Sequence, residues 1–158
     1  PRSTLFPYTT LFRSVILARA PDPARGAVCL PAASLEVISP SGTRMKPLDD
    51  LGAFFLGATR TGDAMTFSLP VAKAGTYEFL AEFMVFPRYA VVQVSVDGTP
   101  LGDPFDAYAP ELDVSGPISF GTVALTKGTH EVGITVTGRN PQSEGMFISV
   151  RRFCLSPR

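Results

Sequence analysis

The 158-residue chain has no tryptophan, one histidine and two cysteines, and its 14 basic residues balance 14 acidic ones. A zinc site built from cysteine and histidine needs several of these residues at short spacing, so that class of site is excluded. Balanced charge without a Lys/Arg-rich run argues against nucleic acid or an anionic membrane surface as a partner. The longest apolar runs, such as 54–56 and 90–92, fall far below the roughly 18 residues that cross a bilayer.

The composition indicates one folded domain. Hydrophobic residues make up 45% of the chain and charged residues 18%, which is typical of globular proteins and not of disordered ones. A chain of this length builds one hydrophobic core of ordinary size. The glycines stand singly at turns and form no phosphate-binding loop, so nucleotide binding has no support.

Alternation of apolar and polar residues with a period of two predicts strands. It is clear at Met65, Phe67 and Leu69, and turn signals such as Asp97-Gly98 separate the alternating runs. No helical periodicity intervenes, so we predict an all-β fold, an antiparallel β-sandwich of jelly-roll type with about eight strands. The predicted strands are 34–38, 53–56, 64–70, 76–85, 90–97, 118–125, 130–137 and 146–155.

Two N-terminal segments are set apart from the sandwich domain, which we place at 33–158. Residues 15–32 are rich in alanine, proline and arginine and are predicted to be a linker or irregular lead-in. Residues 1–14 (PRSTLFPYTTLFRS) resemble the translation of a sequencing-adapter oligonucleotide. The resemblance implies a non-biological segment, with coding sequence from about Val15 onward inside a longer gene. A signal peptide is disfavoured, because Pro7 and Arg13 interrupt the apolar stretch.

The connection 98–117 carries four prolines and four carboxylates and is predicted to be a long loop with a contact surface. Its carboxylates are Asp103, Asp106, Glu111 and Asp113. A catalytic carboxylate pair needs surroundings that raise one pKa, and none is visible, so we predict no catalytic residues and no enzyme activity. A calcium ion held by these oxygen ligands is the one cofactor considered.

The histidine and the cysteines have structural interpretations. His130 follows a Lys-Gly turn and is predicted to be a solvent-facing residue at a strand edge. Cys29 and Cys154 lie near the two ends of the domain, and two buried free thiols are the preferred interpretation. The alternative is a disulfide between terminal strands, which would contribute about 4 kcal/mol in an entropic model.

A ligand-binding cluster is predicted at one end of the sandwich. Tyr89 precedes a central strand, and Asp106 and Tyr108 end the connection that returns to the same end, so we expect them together. Arg88 is the expected ion-pair partner of Asp106, and Asn140 adds hydrogen-bonding capacity.

The adjacent pair Phe54 and Phe55 lies on one predicted strand. Since neighbouring side chains on a strand point to opposite faces, at least one of the two must point away from the core. An outward aromatic ring offers a surface on which a sugar ring stacks.

Residues 35–155 resemble a sandwich module found at the C-terminus of large secreted bacterial carbohydrate-active proteins, including relatives of glycoside hydrolase family 172. The segments that carry the resemblance are AGTYEF (74–79), PRYAVVQVSVDGTPLGDPFDAY (87–108), FGTVALTKGTHEVGITVTGRNP (120–141) and GMFISVRRFCL (145–155). It implies a carbohydrate-binding-module-like sandwich without catalytic function, outside the cell or in the periplasm, with a catalytic domain upstream.

Two functions follow as hypotheses. The first is a non-catalytic accessory module that binds glycan or docks on the upstream catalytic domain. The second is a structural jelly-roll domain of an oligomeric glycosidase that mediates subunit or domain interfaces. A groove with tyrosine and polar side chains favours glycan binding, and an exposed apolar patch favours docking.

Overall fold

The computed structural model describes residues 26–41 and 44–158, so the predictions for 1–14 and for most of the lead-in lie outside the described residues. The described chain forms eleven strands and two short 3-10 turns, Ala32–Ser34 and Asp49–Leu51. The strands are β1 (Val28–Pro31), β2 (Val37–Ser41), β3 (Met45–Leu48), β4 (Ala53–Leu56), β5 (Ala64–Val71), β6 (Gly75–Val85), β7 (Val91–Val96), β8 (Thr99–Asp106), β9 (Asp113–Leu125), β10 (Gly128–Gly138) and β11 (Ile148–Pro157). Within these ranges no helix has the length and apolar character to span a membrane.

The strands form two antiparallel sheets. Sheet 1 has the order β3-β4-β11-β6-β9. On one edge of β11, β4 pairs with residues 148–150 and β1 pairs with residues 152–155. Sheet 2 has the order β2-β5-β10-β7-β8. Consecutive strands often lie in different sheets, which is the connectivity of a sandwich rather than of a simple meander. The prediction of an all-β antiparallel sandwich is confirmed.

Three strands, β1, β3 and β8, were not predicted. Pro47 interrupts β3, and Pro100 and Pro104 interrupt β8, and both strands lie at a sheet edge, where a missing amide donor is tolerated. The loop prediction for 98–117 is therefore wrong over β8 and over the start of β9. β1 also lies within the predicted lead-in, so the sandwich includes residues from Val28 onward rather than beginning at 33.

The core between the sheets is dominated by phenylalanine. Phe67 contacts Phe54 and Phe153 edge-on at centroid distances of 5.7 and 5.3 Å, and Phe153 lies 5.9 Å from Phe79. All of these rings are buried. Because each buried phenylalanine contributes about 1.5–3 kcal/mol, this aromatic chain holds the two sheets together.

A second apolar cluster covers the opposite face of sheet 1 near one end. Its buried members are Ala53, Met84, Val85, Tyr89 and Ala107. Phe55 belongs to this side and meets Phe147 edge-on at 5.4 Å, whereas its neighbour Phe54 points into the main core. The prediction that one of this pair turns away from the core is confirmed.

A charged group is buried beside that cluster. Glu82 on β6 is 1% exposed, and its Oε1 accepts hydrogen bonds from Arg151 and from Arg152 Nε at 2.8 Å. The two arginine side chains are 11% and 19% exposed. A buried carboxylate is tolerated only with such partners, so this ion cluster fixes the register of β6 against β11.

Cys29 and Cys154 form a disulfide with an S–S distance of 2.02 Å. The two residues face each other across the β1–β11 ladder. The preferred interpretation of two free thiols is therefore wrong. Its error follows from the missed strand β1, because only the pairing of β1 with β11 brings residues 125 positions apart into contact.

Candidate functional site

Three connections meet at one end of the sandwich, and we call this region the three-loop end: residues 86–90, 107–112 and 139–147. Backbone hydrogen bonds join them, with Phe86 N to Ala107 O at 3.1 Å and Ala90 N to Phe147 O at 3.0 Å. Ser143 Oγ donates to Tyr89 O at 2.8 Å. Loops cross-linked in this way present their side chains from a fixed frame.

Asp106, Tyr108 and Asn140 come together on the surface of this region, and we call them the polar trio. Asp106 Oδ1 accepts from the Tyr108 amide at 2.9 Å, and its Oδ2 accepts from Asn140 Nδ2 at 2.7 Å. Asn140 Oδ1 in turn accepts from the Gln142 amide at 2.9 Å. Asp106 and Tyr108 are thus neighbours, as expected, and Asn140 joins them through a contact that the sequence analysis did not predict.

The expected pair between Arg88 and Asp106 is wrong. Arg88 Nε instead lies 3.9 Å from Glu144 Oε2, and both side chains are largely exposed. Asp106 is held by uncharged donors, because the turn after Gly138 brings Asn140 to it. An exposed pair at this distance contributes little stability, so Arg88 is free to reorient toward a ligand.

Tyr89 is a structural residue of this region. It is 6% exposed and packs edge-on against Phe86 with ring centroids 5.7 Å apart. Burial raises the pKa of Tyr89 to about 12, and the Ser149 hydroxyl only partly offsets this. A buried neutral phenol supports the loops but does not touch a ligand at the surface.

The polar trio contains groups that can form hydrogen bonds with the hydroxyl groups of a ligand. A carboxylate oxygen accepts two hydrogen bonds or more, and each Asp106 oxygen accepts one from the trio, which leaves acceptor capacity toward solvent. Tyr108 is partly exposed and supplies an aromatic face beside this carboxylate.

His130 differs from its prediction as a solvent-facing residue, since it is only 9% exposed. Its Nδ1 lies 2.7 Å from Asp97 Oδ2, and its Nε2 lies 2.8 Å from Thr126 O and 3.3 Å from the Thr126 hydroxyl. The hydrogen bond to Asp97 raises the pKa of His130. With acceptors at both nitrogens the imidazolium form of His130 is favoured. His130 therefore links the turn at Asp97 to Thr126 and is not placed to take a proton from the Thr126 hydroxyl.

The carboxylates of the connection 98–117 do not converge. Asp103 and Glu111 are exposed, and Asp113 Oδ1 accepts from the Val114 amide at 2.8 Å. In the part of the chain that the structure describes, no three His, Cys, Asp or Glu side chains lie close enough together to hold a metal ion. These residues therefore supply no set of ligands for the calcium ion that the sequence analysis considered.

Comparison with solved structures places the fold. The chain superposes on part of a Paenibacillus xanthan lyase with a TM-score of 0.74 and 22% identity, covering 88% of this chain and 14% of that one. It also matches the CBM36-1 domain of a multidomain xylanase from the hindgut metagenome of Trinervitermes trinervoides, with a TM-score of 0.57 and 15% identity over 84% of this chain and 98% of that domain. A CBM35 from Paenibacillus barcinonensis superposes with a TM-score of 0.52 and 13% identity. The match covers 83% of this chain and 99% of that module.

These likenesses define the class of fold: a two-sheet antiparallel β-sandwich of the kind found in carbohydrate-binding modules. Two of these neighbours are described as carbohydrate-binding modules, and at identities of 15% and 13% the likeness shows a shared fold. No family model and no curated protein sequence matches the chain.

Proposed function

We propose that the domain is a non-catalytic accessory module that binds glycan as part of a larger carbohydrate-active protein. The observation that carries the proposal is the match to a complete carbohydrate-binding module, which covers 98% of that module and 84% of this chain. The xanthan lyase match supports attachment to a larger protein, because this chain spans only 14% of it. Fold alone assigns no ligand, so the binding surface rests on the side chains.

The polar trio is the proposed contact surface, with Arg88 beside it. Asp106 and Asn140 would bond sugar hydroxyls, and the Tyr108 ring would pack on the apolar face of the sugar. Tyr89 acts indirectly, since it supports the loops from within the second apolar cluster.

The host is proposed to be a secreted enzyme of the kind that the sequence resembles, including relatives of glycoside hydrolase family 172. The disulfide supports location outside the cell or in the periplasm, because such bonds persist in oxidising compartments.

Affinity electrophoresis of the full chain in gels that contain soluble polysaccharides tests this function. Retardation by at least one polysaccharide is expected, and Tyr108→Ala should weaken it about tenfold, which is about 1.4 kcal/mol. The same loss is expected for Asp106→Asn, whereas Asp103→Asn, an exposed carboxylate on the same strand, should behave as wild type. No retardation by any polysaccharide, or equal loss from both aspartate variants, would contradict the proposal.

Docking on another domain or subunit is the second candidate, favoured by an apolar groove of about 590 Å³ at the other end of the sandwich. Val28, Tyr77 and Leu155 line it, and Val28 is 60% exposed. Sedimentation of the full chain from 1 to 100 µM, with Val28→Lys as the variant, tests self-association directly. A dimer that Val28→Lys disrupts would favour this candidate, and a monomer throughout would count against an oligomer interface.

A further inference from the structure

A second groove, outside the polar trio, opens on the outer face of sheet 1. Its volume is about 590 Å³, and Arg44, Met45, Lys46, Leu48 and Phe55 line it. The volume is that of a small-ligand site and holds one or two sugar residues.

The strand register places an aromatic ring and two cations on one wall of this groove. Lys46 on β3 lies directly opposite Phe55 on β4, so the two side chains share a face. Arg44 precedes Lys46 by two positions and shares that face by alternation. Its backbone is fixed, because the Gly57 amide donates to the Arg44 carbonyl at 2.6 Å.

Neither cation is neutralised within residues 26–41 and 44–158. The ion pairs that this part of the chain forms involve other arginines and His130, and no carboxylate lines the groove. Asp49 and Asp50 line a separate depression beyond Leu48. The groove therefore combines local positive charge with an apolar wall.

The Phe55 ring is held in place from behind. Phe147 contacts it edge-on, with centroids 5.4 Å apart and planes at 71°. Phe55 remains partly exposed on the groove side. A ring fixed in this way provides a flat surface on which a ligand stacks. Little side-chain entropy is lost on binding, because the ring is already ordered.

We infer that this groove binds a carboxylated sugar, a uronic-acid residue of an acidic glycan; the inference rests on the proposed function and names a substrate class for it. A pyranose ring has an apolar face that packs on Phe55. Its carboxylate forms ion-paired hydrogen bonds with Arg44 and Lys46, whereas a neutral sugar offers these cations no opposite charge.

Calorimetric titration of the full chain tests the inference with a matched pair of ligands: oligogalacturonate and its methyl ester, in which a methyl group on each carboxyl removes the charge. The wild type should bind the acid at least tenfold more tightly, and this preference should shrink as NaCl rises from 50 to 300 mM. An oligosaccharide of a sulfated galactan serves as a third ligand. Equal binding of acid and ester, no binding of the acid, or tighter binding of the sulfated ligand would overturn the inference.

Variants assign the effect to the groove. Arg44→Gln with Lys46→Gln should weaken acid binding at least tenfold and leave ester binding within twofold, and Phe55→Leu should weaken both. The control is Lys73→Gln with Lys127→Gln, which removes the same charge at the opposite end of the sandwich. Thermal unfolding of each variant monitors the fold.

Failure of this inference is distinguishable from failure of the proposed function. If the Arg44 and Lys46 variant binds acid as well as wild type does, the groove assignment is wrong, whereas neutral glycan binding that Tyr108→Ala abolishes leaves the proposed function intact. Absence of binding by every glycan would remove both.

Discussion

Replacing Glu82 by glutamine should destabilise the domain far more than its small change in shape suggests. The carboxylate is 1% exposed and pairs with both Arg151 and Arg152, whose side chains are themselves mostly buried. Removing one partner from a buried ion pair leaves an uncompensated charge and costs about 3–5 kcal/mol. At about 2–4 °C per kcal/mol for a domain of this size, the melting temperature should fall by about 6–20 °C.

The matched control for this substitution is Glu78→Gln on the same strand. Glu78 pairs with Arg158 at 2.7 Å, but the two side chains are 23% and 53% exposed. An ion pair that water reaches contributes only about 0.2–1 kcal/mol, so this variant should lose about 4 °C or less. Both variants are compared with wild type by calorimetry and by urea unfolding at pH 7.

A double variant separates charge pairing from packing. Glu82→Met with Arg151→Met replaces the more deeply buried pair by apolar side chains and retains Arg152, and a buried ion pair replaced in this way often loses little stability. We expect it to be more stable than Glu82→Gln alone. A loss below 1 kcal/mol for Glu82→Gln, equal to that of Glu78→Gln, would refute the reasoning.

Three further predictions concern stability. Reduction of the disulfide between β1 and β11 should cost about 2–5 kcal/mol, seen as a lower urea midpoint with dithiothreitol present. His130 has a raised pKa, so its contribution is full below about pH 6.5 and is lost as pH rises through the higher folded-state value; the stability difference between wild type and His130→Gln should shrink from pH 5 to pH 9. Gly102→Ala should cost more than Gly116→Ala, because both have φ near +70° but only at Gly102 would the new Cβ lie 2.8 Å from a backbone oxygen, that of Phe120. Equal melting temperatures for the two alanine variants would contradict this.

The acidic partner of His130 titrates in the opposite direction. Burial acts to raise the pKa of Asp97, yet hydrogen bonds from His130 and from the Glu131 amide hold it below the ordinary value. Its contribution is therefore present above about pH 3.8 and is lost as pH falls through the lower folded-state value. Acid unfolding of Asp97→Asn should begin at a higher pH than that of wild type.

Alternation was sufficient to predict the central strands, because burial of one face imposes a period of two. The Asp97-Gly98 signal also identified the β7–β8 hairpin, where both residues have positive φ, as a tight hairpin turn requires. The edge strands β3 and β8 were missed because little of either strand is buried. Their prolines and exposed faces erase the alternating pattern that marks a buried strand.

The candidate site was only partly predictable. That Asp106 and Tyr108 reach one end followed from the hairpin, but the choice of Asn140 over Arg88 as the Asp106 partner depends on the path of residues 139–147, which no local pattern specifies. The contact of His130 with Asp97 likewise depends on the β7–β10 register, which brings Asp97 from 33 positions away. The alternating cations Arg44 and Lys46 are the one sequence feature that could have indicated the groove at Phe55. Pro47 argued against a strand there, so the alternation was not recognised.

Chemical-shift mapping by NMR tests the central claim of a glycan-binding module most directly. The labelled full chain is titrated with neutral and acidic oligosaccharides up to about 10 mM. Saturable shifts are expected for the amides around the polar trio or the Phe55 groove, with dissociation constants of about 1 mM or tighter and no turnover of the ligand. If no amide shifts with any oligosaccharide, or if the ligand is cleaved during the titration, the account of this domain as a non-catalytic glycan-binding module is contradicted.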